Sequence, residues 1–344
     1  MQETGVLTIG LDVGYGATKG VMPDRPPQIF SSVCGHARSL NFQADEIALR
    51  YPGDQLTDAE GQWYIGNLAQ SQLTHPGELL HLRGRTADKD VLGNVFRLRM
   101  AKAALGKLLP GLSDGNVVHL CLSTGLPVAH MDDAEELKAV LLGKHRIQTD
   151  LTDFVANVVE VRVMPQPYGS IFAQTLTEAG EVNEGHSFPR TAVCDVGTYT
   201  IDVAVDDDGE YIAAESGSTE AGVYTAQDYL RRVLEKNYRQ FIPLSVIDEV
   251  LRTGCFRASG QVVDFRVEVQ QALEVLRSST LGLLNDKWKA GTLIDVIYLS
   301  GGGAELVHEV VKAAYSQTVL VVNPQIANAV GYLQFALGKA HTPA

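Results

Sequence analysis

Residues 6–22 place apolar and polar side chains alternately on either side of a short turn, LTIGLDVGYGATKGV, and this alternation predicts a β-hairpin. The pattern returns at residues 191–214, which open TAVCDVGTYTIDVAV. Thr8, Asp12, Val13 and Gly14 match Thr191, Asp195, Val196 and Gly197 at one constant offset. Residues 29–66 hold short alternations with turn signals at YPGDQ and AEGQW, as expected of a small antiparallel elaboration. Residues 91–109 change to helical spacing, with Leu92, Val95, Phe96, Met100, Ala103 and Leu108 on one face and Pro110 and Gly111 as a stop. A strand over 116–128, a helix over 131–143, a strand over 155–163 and a helix over 170–180 follow. Past the second hairpin come helices over 225–240 and 263–288. A strand, a glycine turn and a helix start then occupy 295–307, and an apolar helix follows Pro324. Strands alternate with helices in both halves, which predicts two α/β domains with mixed sheets.

Composition narrows this picture. A chain of 344 residues with 45% hydrophobic content suits two packed domains. Cys34, Cys121, Cys194 and Cys255 are scattered without paired spacing, so buried reduced thiols are expected rather than a disulfide framework or a zinc site. Neither a transmembrane run nor a signal peptide is read, and a cytoplasmic protein is expected. The formal net charge of −13 repels phosphate backbones and argues against direct nucleic-acid binding. The densest basic stretch, RVLEKNYRQ at 232–240, reads as a solvated helix face.

The two hairpins carry the candidate chemistry. Gly14 and Gly16 let a turn approach a ligand without a Cβ in the way, and successive N–H groups in such a turn form an anion nest. Tyr15 lies within it, Thr18 adds a hydroxyl and Lys19 a positive charge, a set suited to a polyphosphate. Asp12 suits a hydrated Mg²⁺ held by few carboxylates. Asp195 with Gly197, Thr198, Tyr199 and Thr200 repeats the offer. Two ordinary Asp-Gly hairpins are the plain reading of either one alone; the shared register favours phosphate binding. The third glycine turn, LSGGGAE, permits close approach of a flat or sugar-like group at Gly301, Gly302 and Gly303, or is a simple strand-to-helix connection. In MPQPYGS, Gln166 stands between two prolines in an expected loop. A solvent-facing glutamine is the plainer reading of that spacing; a fixed amide orienting water is the functional one.

In order, GLDVGYGATKG, PQPYGS, CDVGTYTID, LSGGGAE and NPQIANAVGYLQF resemble the motifs of the actin superfamily, and DVGYGATK with the short length most resembles its ParM/StbA-type bacterial and archaeal members. Asp12 with Lys19 looks like the phosphate-1 motif, residues 195–202 like phosphate-2, and residues 300–303 like the adenosine motif. Gln166 falls in the first connecting segment and residues 327–331 in the second. The resemblance implies two ribonuclease-H-like domains around a nucleotide cleft. Domain I would span 1–165 plus 331–344, with a small subdomain at about 29–85. Domain II would span 166–330, with one at about 218–290. It implies ATP or ADP with Mg²⁺, slow hydrolysis, self-association into filaments, and cargo such as a plasmid held through a DNA-binding adaptor. Asp12 and Asp195 would lie by the metal, Lys19 on the phosphates, and Asp195 and Gln166 by the attacking water. Here the sequence departs from the ParM-like pattern: those relatives often carry Glu where Gln166 stands, whereas actin carries Gln; an amide cannot act as a general base, so its role would be positioning only.

Two other functions stay open at this point. A small-molecule kinase of the same superfamily would need an acid aimed at a substrate hydroxyl, and STGLP at 123–127 would line its pocket or end a core strand. A monomeric, chaperone-like nucleotide switch would need a peptide-binding domain, for which the chain length leaves no room.

Overall fold

The computed structural model describes residues 5–39, 42, 44–73, 75, 77–82, 91–186, 188–289, 291 and 293–340. The chain forms two compact units, Met1–Ser187 with Ile326–Ala344, and Phe188–Gln325.

In unit 1 the strands are β1 Leu7–Val13, β2 Ala17–Val21, β3 Gln28–Ser31, β4 Cys34–His36, β5 Gln55–Asp58, β6 Gly61–Ile65, β7 Val117–Leu126, β8 Gly143–Thr149 and β9 Asp153–Pro165. Among the described residues they make one sheet in the order β3-β2-β1-β7-β9-β8-β5-β6-β4. The expected antiparallel elaboration is present, and its strands continue the main sheet through β5 and β8 (Leu56 opposite Thr149). It also keeps a small core of its own, of Val33, Tyr64, Leu68, Ala69 and Leu73. Residues 83–85 of the expected subdomain lie outside the described residues.

Strand alternation decides which helix covers which face. Ile9 and Leu11 point into a core shared with Met100, Ala104 and Leu108 of the helix Val91–Leu108. Gly10, between them, faces the helix Ala327–Ala340 so closely that a Cβ there would lie 2.0 Å from the Ala329 carbonyl oxygen.

Unit 2 holds β10 Arg190–Val196, β11 Ile201–Asp207, β12 Glu210–Tyr211, β13 Gly217–Thr219, β14 Cys255–Ala258, β15 Gln261–Asp264, β16 Val296–Ser300 and β17 Thr318–Leu320. The main sheet runs β12-β11-β10-β16-β17 with β13 added on β11, while β14 and β15 form a separate hairpin. Ala192, Cys194, Val196, Ile297 and Leu299 pack against Leu230 and Leu234 of the helix Tyr224–Tyr238, Leu276 and Leu284 of Arg266–Trp288, and Val307 and Val311 of Ala304–Ala314.

The division at 187/188 and 325/326 differs from the expected 165/166 and 330/331. The cause is local. The helix Gln166–Thr175 and the helix Ala327–Ala340 pack together inside unit 1, with the buried Ser170 Oγ–H donating to Asn328 Oδ1 at 2.6 Å and Phe172 stacked on Phe335 at 4.8 Å. Their backbones meet where glycine faces glycine: a Cβ on Gly331 would lie 1.7 Å from the Gly169 oxygen. Both connecting helices are thereby committed to the first unit.

Candidate functional site

The same local plan is built once in each unit. β1 pairs antiparallel with β2 and parallel with β7; β10 pairs antiparallel with β11 and parallel with β16. The turns match in detail. A Cβ on Gly14 would lie 3.0 Å from the Ala17 oxygen, and one on Gly197 would lie 3.1 Å from the Thr200 oxygen.

In unit 1, Asp12 is buried and faces Lys19 across the ladder, with Lys19 Nζ donating to Asp12 Oδ2 at 2.8 Å. The two side chains are 3% and 12% exposed, so the pair is largely withdrawn from solvent. Lys19 Nζ also lies under the turn, 3.1 Å from where a Cβ on Gly14 would be. Tyr15 and Gly16 complete the half-buried turn, and the Gly16 carbonyl accepts from the Ser32 N–H at 3.0 Å. Thr18 is placed otherwise than the motif reading expects. It is fully buried, and its hydroxyl is joined to Ser32 Oγ at 2.9 Å, tying β2 to the β3–β4 connection instead of facing the turn.

In unit 2, Asp195 is buried and pairs across the ladder with Asp202, also buried. Residues paired across neighbouring strands share a sheet face. Two carboxylates therefore stand side by side where unit 1 has an acid and a base. Ser218 Oγ–H donates to Asp202 Oδ1. Burial, then the Asp195 and Asp202 carboxylates, pushes the thiol of Cys194 far up. Sequence reading passed over Asp202, although it lies at the position matching Lys19. The Gly197 N–H donates to the Thr200 oxygen at 2.9 Å and closes the turn. The carbonyls of Gly197, Thr198 and Tyr199 accept from the N–H groups of Val223, Tyr224 and Gly222, which anchors the turn on the start of the helix Tyr224–Tyr238. The Tyr199 ring packs on Tyr224 at 4.7 Å, and Thr200 is buried.

The three-glycine turn divides its labour. Gly301 has φ +87°, and a Cβ there would lie 2.2 Å from Asp195 Oδ1; a Cβ on Gly303 would meet Val223 and Val196 at 2.5 and 2.7 Å. These two glycines serve packing inside unit 2. Gly302 is exposed, and a Cβ there would touch only Gln325 Cγ at 3.9 Å, so its face is open to a ligand.

Gln166 stands at the first position of the helix Gln166–Thr175, not in a loop. Pro167 is tolerated in the first helical turn, where no backbone donor is lost from the helix ladder. Gln166 is half-buried, and its carbonyl accepts from Tyr332 Oη–H at 3.1 Å. The 123–127 stretch is packed rather than open: Ser123 and Thr124 are buried, and Tyr332 Oη covers Gly125. Arg232 of the basic stretch lies exposed on its helix and is paired with Asp228 at 2.6 Å, as a solvated face requires. Among the described residues no group of three or more His, Cys, Asp or Glu gathers into a metal cluster, and no helix is long and apolar enough to cross a membrane.

The same plan is found in known proteins. Residues 10–169 match the family of actin-like proteins, N-terminal domain, and residues 193–313 match the archaeal actin homologue MreB-like C-terminal family. An archaeal actin homolog of Thermoplasma volcanium is 27% identical over 95% of this chain and 98% of its own length; one of Thermoplasma acidophilum is 26% identical over the same shares. A ParM from Clostridium botulinum, solved as a 15-stranded filament, superposes with a TM-score of 0.76 at 21% identity, covering 98% of this chain and 99% of that one. An archaeal actin homolog crystallised with ADP superposes with a TM-score of 0.74 at 20% identity, covering 96% and 99%. The family matches, one in each unit, identify this chain as a member of the actin-like proteins, and the solved archaeal actin homologs and ParM share its fold.

Proposed function

We propose that this chain is a slow, Mg²⁺-dependent ATPase that assembles into filaments while ATP is bound and loses them as ATP is hydrolysed. The observation that carries the reading is the repeated hairpin: a buried aspartate at a strand end, then a glycine turn, in the same register in two units. The ADP complex of an archaeal actin homolog and the ParM filament support it by likeness.

In this reading the N–H groups of Gly14, Tyr15 and Gly16 and the Lys19 ammonium hold phosphate oxygens, as do the N–H groups of Thr198, Tyr199 and Thr200, while Gly197 closes their turn on the Thr200 oxygen. Thr18 supports the first turn from behind through Ser32. Gly301 and Gly303 shape the adenosine turn, and Gly302 offers it an open backbone face. Asp12 and Asp195 take the metal side. The donor chemistry fits Mg²⁺, which keeps most of its waters and needs one or two carboxylates. Asp195 beside Asp202 is a like-charge pair that a divalent cation relieves. Bound Mg²⁺ supplies neutralisation of the phosphates. Asp195 then aids the polarisation of water, and the Gln166 amide orients it by donating and accepting hydrogen bonds without taking its proton. ADP remains after turnover.

The filament would work in the cytoplasm, moving plasmid DNA or other cargo through an adaptor protein. The acidic surface disfavours direct contact with nucleic acid. The packed 123–127 stretch favours water over a sugar as the acceptor.

Light scattering and phosphate release followed together after adding Mg-ATP test the reading. A scattering rise that decays as phosphate appears is expected. Phosphate release with flat scattering would remove the filament and leave a monomeric switch or a kinase awaiting its acceptor. Absence of both signals would remove the ATPase.

A further inference from the structure

Among the described residues Tyr332 is the largest fully buried side chain, and its phenol is polar. It lies on the helix Ala327–Ala340, by which the chain re-enters unit 1 after Gln325. Its Oη–H donates to the main-chain carbonyl of Gln166 at 3.1 Å. Two glycines vacate the space that the ring fills. A Cβ on Gly125 would lie 2.0 Å from Oη, and one on Gly169 would lie 2.6 Å from Cε1. The ring is thus held between the end of β7 and the first turn of the helix Gln166–Thr175, with one hydrogen bond aimed at that helix's first residue. The Gln166 side-chain amide makes no hydrogen bond of its own among the described residues, so the residue is placed through its backbone.

We propose that Tyr332 is a positioning residue: its hydroxyl fixes the backbone of Gln166 and so aims the Gln166 amide at the attacking water. The inference rests on Gln166 having the water-orienting role given above. A group that must meet a water within hydrogen-bond range loses rate steeply when its anchor shifts by even a fraction of an ångström. A helix-end residue with a half-buried, otherwise unheld side chain is open to such a shift. The Tyr332 phenol is one contact that resists it, and the tight fit against Gly125 and Gly169 keeps the phenol itself in one place.

Tyr332→Phe removes one oxygen and leaves the ring, so the packing survives. Its test is single-turnover phosphate release with protein in excess of ATP, a rate constant that does not depend on how much of the sample is folded. Tyr332→Phe, Gln166→Ala and the double variant are measured together, with ATP affinity from a binding titration. We expect Tyr332→Phe to slow release about three- to tenfold at unchanged ATP affinity, and to add nothing once Gln166 is alanine. A Tyr332→Phe rate equal to that of the wild type overturns the proposal. So does a loss that multiplies with that of Gln166→Ala, because the hydroxyl would then act through something else. An inert Gln166→Ala overturns it too, and marks the failure as that of the Gln166 assignment.

Discussion

The two hairpins share a backbone and differ at one cross-strand position. Opposite Asp12 stands Lys19; opposite Asp195 stands Asp202. The first pair is neutral as built, and each charge meets its counter-ion at 2.8 Å, which offsets part of the cost of burying it. The second pair concentrates negative charge on one sheet face, beside a backbone turn that offers donors. One frame thus carries an acid–base pair across the ladder in unit 1 and an acid–acid pair in unit 2. A repeated fold repeats the geometry of a strand end and a turn, while the chemistry is set by which side chain faces the aspartate.

The comparison breaks most sharply at Asp195. Asp195→Ala should reduce phosphate release by a factor on the order of 10² or more, because the metal-side carboxylate acts on the transition state. The fold should persist, since the substitution also removes one of two facing carboxylates. Full turnover in a folded Asp195→Ala protein would detach the second hairpin from catalysis.

Stability without nucleotide sharpens the same contrast. Lys19→Met leaves Asp12 buried without its partner, and about 3 kcal/mol should be lost in urea unfolding of the apo protein. Asp202→Asn relieves repulsion and still offers an oxygen to Ser218, so it should be neutral or stabilising at neutral pH. Equal losses from the two substitutions would mean that the hairpins are electrostatically alike.

The glycine turn offers a third contrast within unit 2. Gly301→Ala puts a Cβ against Asp195 Oδ1 at a φ of +87°, and should cost about 2 kcal/mol or more. Gly302→Ala meets open space and should leave the melting temperature unchanged while weakening ATP binding several-fold. A Gly302→Ala protein that binds ATP as the wild type does would remove the open face from the nucleotide site.

Much of this was legible in the sequence, for identifiable reasons. Alternation is strong in β1, where Leu7, Ile9, Leu11 and Val13 form an apolar face, and in β10 and β11, where Ala192, Cys194 and Val196 and Ile201, Val203 and Val205 do so, and the helix Val91–Leu108 is marked by both its spacing and its Pro-Gly stop. β8 escaped because GKHRIQT buries only Ile147 and carries three basic or titratable residues in a row. The β14–β15 hairpin escaped because its short strands, broken by Arg257, Gln261 and Asp264, ran into the start of a long helical pattern. Gln166 was read as loop because two prolines flank it, yet proline is at home in a first helical turn. The roles of Thr18, Gly301 and Gly303 depend on partners distant in sequence, Ser32, Asp195 and Val223, which spacing alone does not identify.

The smallest effect concerns the thiols, of which Cys194 lies on the strand that carries Asp195, on its opposite face. Burial raises Cys34 and Cys121 to about 11, and Cys194 higher still, with Asp195 and Asp202 adding to the burial. At pH 8 a thiol of pKa 11 is only about one part in a thousand thiolate, and the thiolate is the reacting form. Cys255, at the start of β14, is partly exposed. A thiol reagent added to the native protein at pH 8 should therefore label one cysteine per chain quickly, and all four only in denaturant. Asp202→Asn should leave that single fast label unchanged while easing the slow reaction of Cys194, since one of the two carboxylates that disfavour its thiolate is gone. Fast labelling of Cys194 in the native wild type would show that the sheet behind Asp195 opens readily to solvent, and a buried carboxylate pair there would no longer set the second hairpin apart from the first.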